Sequence, residues 1–283
     1  MGVVIEMKNV TYTYPLAKTP AIIDVSLQIE SGKLYGIIGA NGSGKTTMCN
    51  LIRGFAPDFY KGELNGQVLV EGKPTIEYGE GEMSLRMGYV FQNPFNQISG
   101  VKDTVFEEIA FGLENFGVPP DEIEERVIEI MKLTKIEDLA EKNPFSLSGG
   151  QQQRAALASI IVLKPDILVI DEPTSQLDPE GTESVFEIIF AMKKAQKTII
   201  LVEHKIDMIA EYADEVFVMS NGRLLKSGLT QDVLSDMSLV DKGVRLPQIT
   251  LLGSELSKCG IELPFLPITE KQGAEMLSNY RRN

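Results

Sequence analysis

At 283 residues and 31.2 kDa, with 43% hydrophobic and 24% charged residues, the chain can bury one large α/β core plus a small appendage, and its composition excludes a disordered protein. A net charge of −13 and a pI near 4.7 argue against a surface that neutralises a run of nucleic-acid phosphates, although a single nucleotide needs only a local anion site. Cys49 and Cys259 are far apart and form no Cys-x-x-Cys pair, so neither a disulfide framework nor a zinc site is expected, and a reducing cytoplasm fits.

The N-terminus carries no basic region followed by an apolar run, and Glu6 stands where a myristoylation signal needs Ser or Thr. Apolar runs such as ILVI and TIILV fall far short of a membrane span, so any service to a membrane is expected from outside the bilayer. The first thirty residues alternate in a strand-like way, broken by Pro15 and Pro20. KLYGIIG then reads as a buried strand running into a glycine-rich turn and a helix. QVLVEG and MGYVF are two further strands.

From residue 93 the pattern becomes helical, with Ile123, Val127 and Ile130 spaced along one face of DEIEERVIEIMKL. Strand signals return at DILVIDEP, TIILVEH and EVFVM, each flanked by a helical stretch. Strands alternating with helices predict an α/β fold with a mostly parallel sheet covered on both faces. Beyond about residue 226 prolines interrupt short apolar runs, which defines a small C-terminal unit over 226–283, with a capping box at Thr269 and Gln272 opening a last short helix.

GANGSGKT, Gly39 to Thr46, has the spacing G-x-x-x-x-G-K-[ST] between a predicted strand and a predicted helix. Glycines let backbone N–H groups close around a polyphosphate, Lys45 offers a charge to the β and γ phosphates, and the Thr46 hydroxyl can ligate Mg²⁺. The helix N-terminus adds roughly 0.3–1 kcal/mol towards an anion. The bland alternative is a chance glycine turn. ILVIDEP ends an apolar strand in two acids, placing Asp171 to hold Mg²⁺ and Glu172 to polarise an attacking water. A surface acid pair at a strand end is the competing explanation. These two motifs alone fit many nucleoside triphosphatases.

LSGGQQQR, Leu147 to Arg154, precedes ILVIDEP by one helix, and with these motifs the chain resembles the ATP-binding cassette (ABC) ATPases over residues 1 to about 225. A plain Ser-capped helix is the simpler reading of that stretch. The resemblance implies a P-loop, RecA-like core over about 1–92 and 158–225, an N-terminal antiparallel β subdomain and a helical subdomain over about 93–157. It also implies that Ser148, Gly149, Gly150 and Gln151 reach the γ-phosphate of a nucleotide cradled by a second cassette. Cradle residues carried over from the motif are Gly39, Asn41, Gly42, Ser43, Gly44, Lys45, Thr46 and Thr47. Gln92 matches the glutamine that senses Mg²⁺ and the attacking water, and His204, the single histidine, matches the switch histidine on the γ-phosphate. Tyr14 matches the aromatic that stacks on adenine, with Tyr12 less suited by register. Asp178 closes SQLD, a loop that links the two sites, where Gln176 replaces a common Ala.

The stretch after Gln92 further resembles the ATPases of energy-coupling-factor (ECF) importers for vitamins and transition-metal ions, and the C-terminal unit resembles their small dimerisation domain. That implies ATP and Mg²⁺ as cofactors, a second cassette, identical or paralogous, an integral membrane coupling subunit, a separate substrate-binding membrane subunit, and a place on the cytoplasmic face of the membrane. No nucleic-acid partner is expected. Phe95 stands where many relatives have Asp, so Glu107, Glu108 and Glu114 are candidates for pairing with a basic coupling helix. Another ABC importer or exporter, a soluble ABC ATPase, and a P-loop kinase or motor are the competing functions.

Overall fold

The computed structural model describes residues 2–79 and 81–280; residues 1, 80 and 281–283, which fall within the expected cassette and C-terminal unit, lie outside it. The N-terminal alternation becomes two long strands, β1 (Val3–Thr13) and β2 (Ile22–Glu30), whose Ile5, Met7, Val10, Ile22, Val25 and Ile29 share one buried face. Leu34–Ile38, β3, is buried at every position, as a central parallel strand requires. It leads through the glycine turn into α1 (Lys45–Ile52) and a short α2 (Phe55–Asp58). The chain then returns through β4 (Glu63–Val70) and β5 (Lys73–Pro74), completing an antiparallel sheet of order β2-β1-β4-β5.

After the single-turn α3 (Glu82–Arg86), β6 (Met87–Val90) joins a second sheet. Three helices follow: α4 (Val105–Asn115), α5 (Pro120–Thr134) and α6 (Gly149–Ile161). Local sequence sets their starts. Thr104 and Glu107 form a capping box on α4, Pro120 opens α5, and Ser148 and Gln151 form a capping box on α6. On the predicted apolar face of α5, Val127 and Ile130 are buried and Ile123 is half-buried.

The remainder alternates as β7 (Ile167–Asp171), α7 (Pro179–Lys194), β8 (Thr198–Val202), α8 (Ile206–Tyr212), β9 (Glu215–Ser220) and β10 (Arg223–Leu229). The second sheet has the order β10-β9-β3-β8-β7-β6, parallel throughout except for β10, which runs antiparallel to β9 at the edge. One face of this sheet, through Tyr35, Ile37, Val169, Ile200 and Val202, packs with Met48, Leu51 and Ile52 of α1 and with the antiparallel sheet. Helix α1 is thereby held in apolar surroundings, each such side chain contributing about 1.5–3 kcal/mol on burial. The opposite face, through Leu168, Ile170, Ile199 and Leu201, carries the helical insert and α7 in one continuous core.

The C-terminal unit is tied into that same core by Val233, Leu234, Leu239, Val244, Leu246 and Ile268. It contains α9 (Thr230–Leu234), α10 (Gln248–Lys258) and α11 (Glu270–Tyr280), the last opened by the expected reciprocal bonds between Thr269 and Gln272. The change in composition at residue 226 falls inside β10, because pairing with β9 continues across it. Among the described residues no helix is long and apolar enough to cross a membrane.

Candidate functional site

Parallel strands end on one side of the sheet, and there the predicted site residues gather. The turn after β3 depends on glycine at two points. Gly39 has φ 151° and a Cβ there would meet Met219 O at 2.2 Å, while Gly44 has φ 104° and would meet Ala21 O at 2.9 Å. Lys45, only 4% exposed, bends back so that Nζ donates to Gly39 O (3.1 Å) and Ala40 O (3.3 Å), and it stands 3.7 Å from Glu172 Oε1. Asn41, Gly42, Gly44, Lys45, Thr46 and Thr47 line one cavity of about 320 Å³ together with Gln92 and Glu172. Ser43 is buried with its hydroxyl unpartnered among the described residues.

Glu172 is the hub. Its N–H donates to Val202 O (2.9 Å), which binds the residue across β8 while its own backbone sits at φ 47°. Such left-handed backbone costs a non-glycine residue roughly 1–2 kcal/mol, and here the neighbouring strand imposes it. Gln92 Nε2 donates to Glu172 Oε2 (2.8 Å), and His204 Nε2 lies 2.8 Å from Oε1. Both carboxylate oxygens are thus aimed by side chains from the segments that follow β6 and β8. Glu203, which the sequence reading did not single out, fixes the next turn. It accepts from Thr174 Oγ1 (2.7 Å) and from the N–H groups of His204 (2.8 Å) and Lys205 (3.1 Å). An acid ending the apolar run TIILV beside the single histidine was the available signal.

Asp171 closes β7 and is buried; burial pushes its carboxyl above the usual range, against the pull of the Thr46 and Tyr89 hydroxyls. Tyr89 donates to Oδ2 (3.1 Å), whereas Oδ1 has no partner among the described residues. An orphaned oxygen of a buried acid, beside the exposed Thr46 hydroxyl, is a donor set that fits a hard cation such as Mg²⁺.

Tyr14 is half-buried against α1, with its hydroxyl donating to Thr47 Oγ1 (3.3 Å), so it borders the cradle. Tyr12 instead points into the core and donates to Lys61 O.

Ser148–Gln151 stand apart from all of this. They line a separate cavity of about 460 Å³ with Gln176, Asp178 and Glu180, and none of them lines the cavities around the glycine turn. The Ser148 hydroxyl accepts from Gln151 N (3.4 Å), and Asp178 caps α7 through Gly181 N (2.8 Å). The two groups of residues therefore line two separate cavities of one chain.

The three glutamates weighed as substitutes for an acid at position 95 are all engaged within the chain. Glu108 is buried and accepts from Ser99 N (2.7 Å) and Ser99 Oγ (2.8 Å), Glu107 completes the cap of α4, and Glu114 pairs with Lys102 (2.7 Å). Phe95 is half-exposed and stacks on Phe145, with ring centroids 6.3 Å apart. The surface there is aromatic.

The sequence model of the ABC transporter family matches residues 22–175. The chain belongs to the ABC transporter family. As an ABC cassette it binds nucleotide and is an ATPase. It is 43% identical over 260 residues, 91% of this chain and 92% of the relative, to a protein of Pyrococcus abyssi named as a candidate ABC transporter ATP-binding protein. It is 38% identical over 279 residues to the energy-coupling factor transporter ATP-binding protein EcfA2 of Streptococcus sanguinis, covering 96% of this chain and 99% of that one. The structure of cbiO1 of Clostridium perfringens, part of the ABC transporter complex cbiONQ, aligns with a TM-score of 0.74 and 33% identity over 86% of this cassette and 94% of that chain. A dimeric cassette, MJ0796 bound to ADP and Pi, aligns with a TM-score of 0.69 and 27% identity over 80% of this chain and 98% of its own.

Proposed function

We propose that this cassette is the ATP-hydrolysing subunit of an ECF-type importer, acting at the cytoplasmic face of the membrane as one of a pair of cassettes. The observation that carries this reading is the separation of the glycine-turn cavity from the Ser148–Gln151 cavity, each lined by residues suited to phosphate. Two copies, or a copy and a paralogue, brought face to face would set Ser148, Gly149, Gly150 and Gln151 of each over the triphosphate on the other's Gly39–Thr46 segment. Asp178 and its loop lie beside that seam and couple the two sites.

In this scheme Lys45 and the loop N–H groups bind the β and γ phosphates, and Tyr14 stacks on adenine. Thr46, Asp171 and Gln92 would hold Mg²⁺, which supplies charge neutralisation of the phosphates. Glu172 orients and deprotonates the attacking water, held in place by Gln92 and His204, and His204 also reaches the γ-phosphate. The ECF assignment is supported by the similarity to EcfA2 over nearly the whole chain and to cbiO1. The aromatic face of Phe95 and Phe145 then receives a coupling helix of the membrane subunit. Purification of the native complex from membranes tests the assignment: the chain is expected with a second cassette, a coupling subunit and a small substrate-binding membrane protein. Recovery as a free cassette, or on ribosomes or DNA, contradicts it.

A further inference from the structure

Arg245 comes from the C-terminal unit, yet it lies at the nucleotide site. Its neighbours Val244 and Leu246 are both buried in the core, and Val244 N donates to Leu239 O (3.0 Å). With the backbone held on both sides, the intervening side chain must face outward. Outward at this point is a cavity of about 510 Å³ whose other walls include Gly39, Ala40, Asn41, Glu172, Glu203 and His204. That cavity adjoins the one around Gly42–Thr47, the two sharing Asn41 and Glu172.

The acids of this cavity are already satisfied. Glu172 is held by Gln92 and His204, and Glu203 by Thr174 and two backbone N–H groups. Arg245 is exposed, and among the described residues no side chain or carbonyl of this chain bonds to its guanidinium. Arg245 also borders a neighbouring cavity of about 990 Å³ with Glu183 and Asp207, but it forms no ion pair with either, so its guanidinium is open to an anion from outside the chain. A planar, permanently charged guanidinium is well matched to phosphate oxygens.

We propose that Arg245 is a specificity-determining residue that binds the terminal phosphate of a triphosphate seated on the P-loop, so that the C-terminal unit distinguishes ATP from ADP. This rests on the reading of Gly39–Thr46 as the nucleotide cradle. A polyphosphate laid along that loop runs from the helix start, past Lys45, towards Glu172 and His204, and Arg245 lines the cavity at that far end. A diphosphate ends one phosphate short of it. The same contact would draw the segment after Gly243 towards the site when ATP binds.

The test is competition binding on the full chain at nanomolar concentration, where cassettes are apart, using a non-hydrolysable ATP analogue and ADP as separate probes. Arg245→Ala is expected to weaken the analogue about tenfold, the worth of one charge-assisted hydrogen bond, and ADP less than about twofold. Arg245→Lys should fall between the wild type and the alanine variant for the analogue. Equal weakening of both nucleotides overturns the proposal, as does unchanged binding combined with loss of ATP-induced assembly, which would assign Arg245 to a contact with the second cassette. Lys45→Ala, expected to lose both probes, separates the two readings: if it binds both normally, the cradle itself is misplaced.

Discussion

Glu172 Oε1 and His204 Nε2 are 2.8 Å apart, joining the residue that follows β7 to the turn that follows β8 across the parallel sheet. With Gln92 on the other carboxylate oxygen, the acid is aimed by two flanking strands and has little freedom to rotate. A base that acts on one water molecule needs that fixed direction more than it needs strength.

Replacing Glu172 by Gln keeps the shape and the contact to Gln92 but removes the charge that accepts the water's proton. Steady-state ATP hydrolysis should fall by about 10²–10⁴-fold while nucleotide binding persists. Turnover measured alongside equilibrium binding checks this, and unchanged hydrolysis would remove Glu172 from its role.

The Phe95 and Phe145 rings stack at an interplanar angle of 19°, both about half exposed, between the segment after Gln92 and the segment before Ser148. Phe95→Ala should lower the stability of the isolated chain by about 0.5–1.5 kcal/mol, the worth of the lost aromatic pair, and leave its ATP binding unaltered. Co-purification with the membrane subunit should be lost. Retained co-purification would move the docking surface elsewhere.

Lys226 on β10 and Asp236 after α9 tie the C-terminal unit to the sheet at 2.6 Å, and Asp236 also caps the following turn through Ser238 N (2.9 Å). The bond to Lys226, aided by Ser238, holds the Asp236 carboxyl down at about 2. A depressed carboxylate stabilises the fold above its ordinary value of 3.8, and that contribution disappears as pH falls towards about 2. Asp236→Ala should therefore cost about 1 kcal/mol at neutral pH, the usual size of a lost cap. The difference in thermal midpoint from wild type should shrink on acidification between those two values. A difference independent of pH would count against the ion pair.

Much of the candidate site was legible in the sequence because its parts are local. A glycine turn with Lys45, an apolar strand ending in Asp171 and Glu172, and a Ser148–Gln151 cap each need only a few consecutive residues to declare themselves. The core strands were legible for the same reason, since β3, β7 and β8 are unbroken branched apolar runs buried at every position. Pairings over long sequence separations were not. Tyr89 reaching Asp171, Thr174 reaching Glu203, and Arg245 sharing a cavity with His204 depend on how the strands are ordered in the sheet. Strand β10 was hidden because its polar, edge-strand pattern coincides with the change of composition at residue 226. Glu107, Glu108 and Glu114 read as available charges only until their partners, Thr104, Ser99 and Lys102, were brought beside them.

The central claim is that one cassette supplies two incomplete halves of an ATPase site. ATP hydrolysis per chain, measured as the purified chain is diluted over several orders of magnitude, tests it most directly. The account predicts that the specific rate falls steeply once cassettes separate and recovers when a partner cassette is added back; a rate per chain that stays constant down to the most dilute sample, with no association detectable, would contradict it.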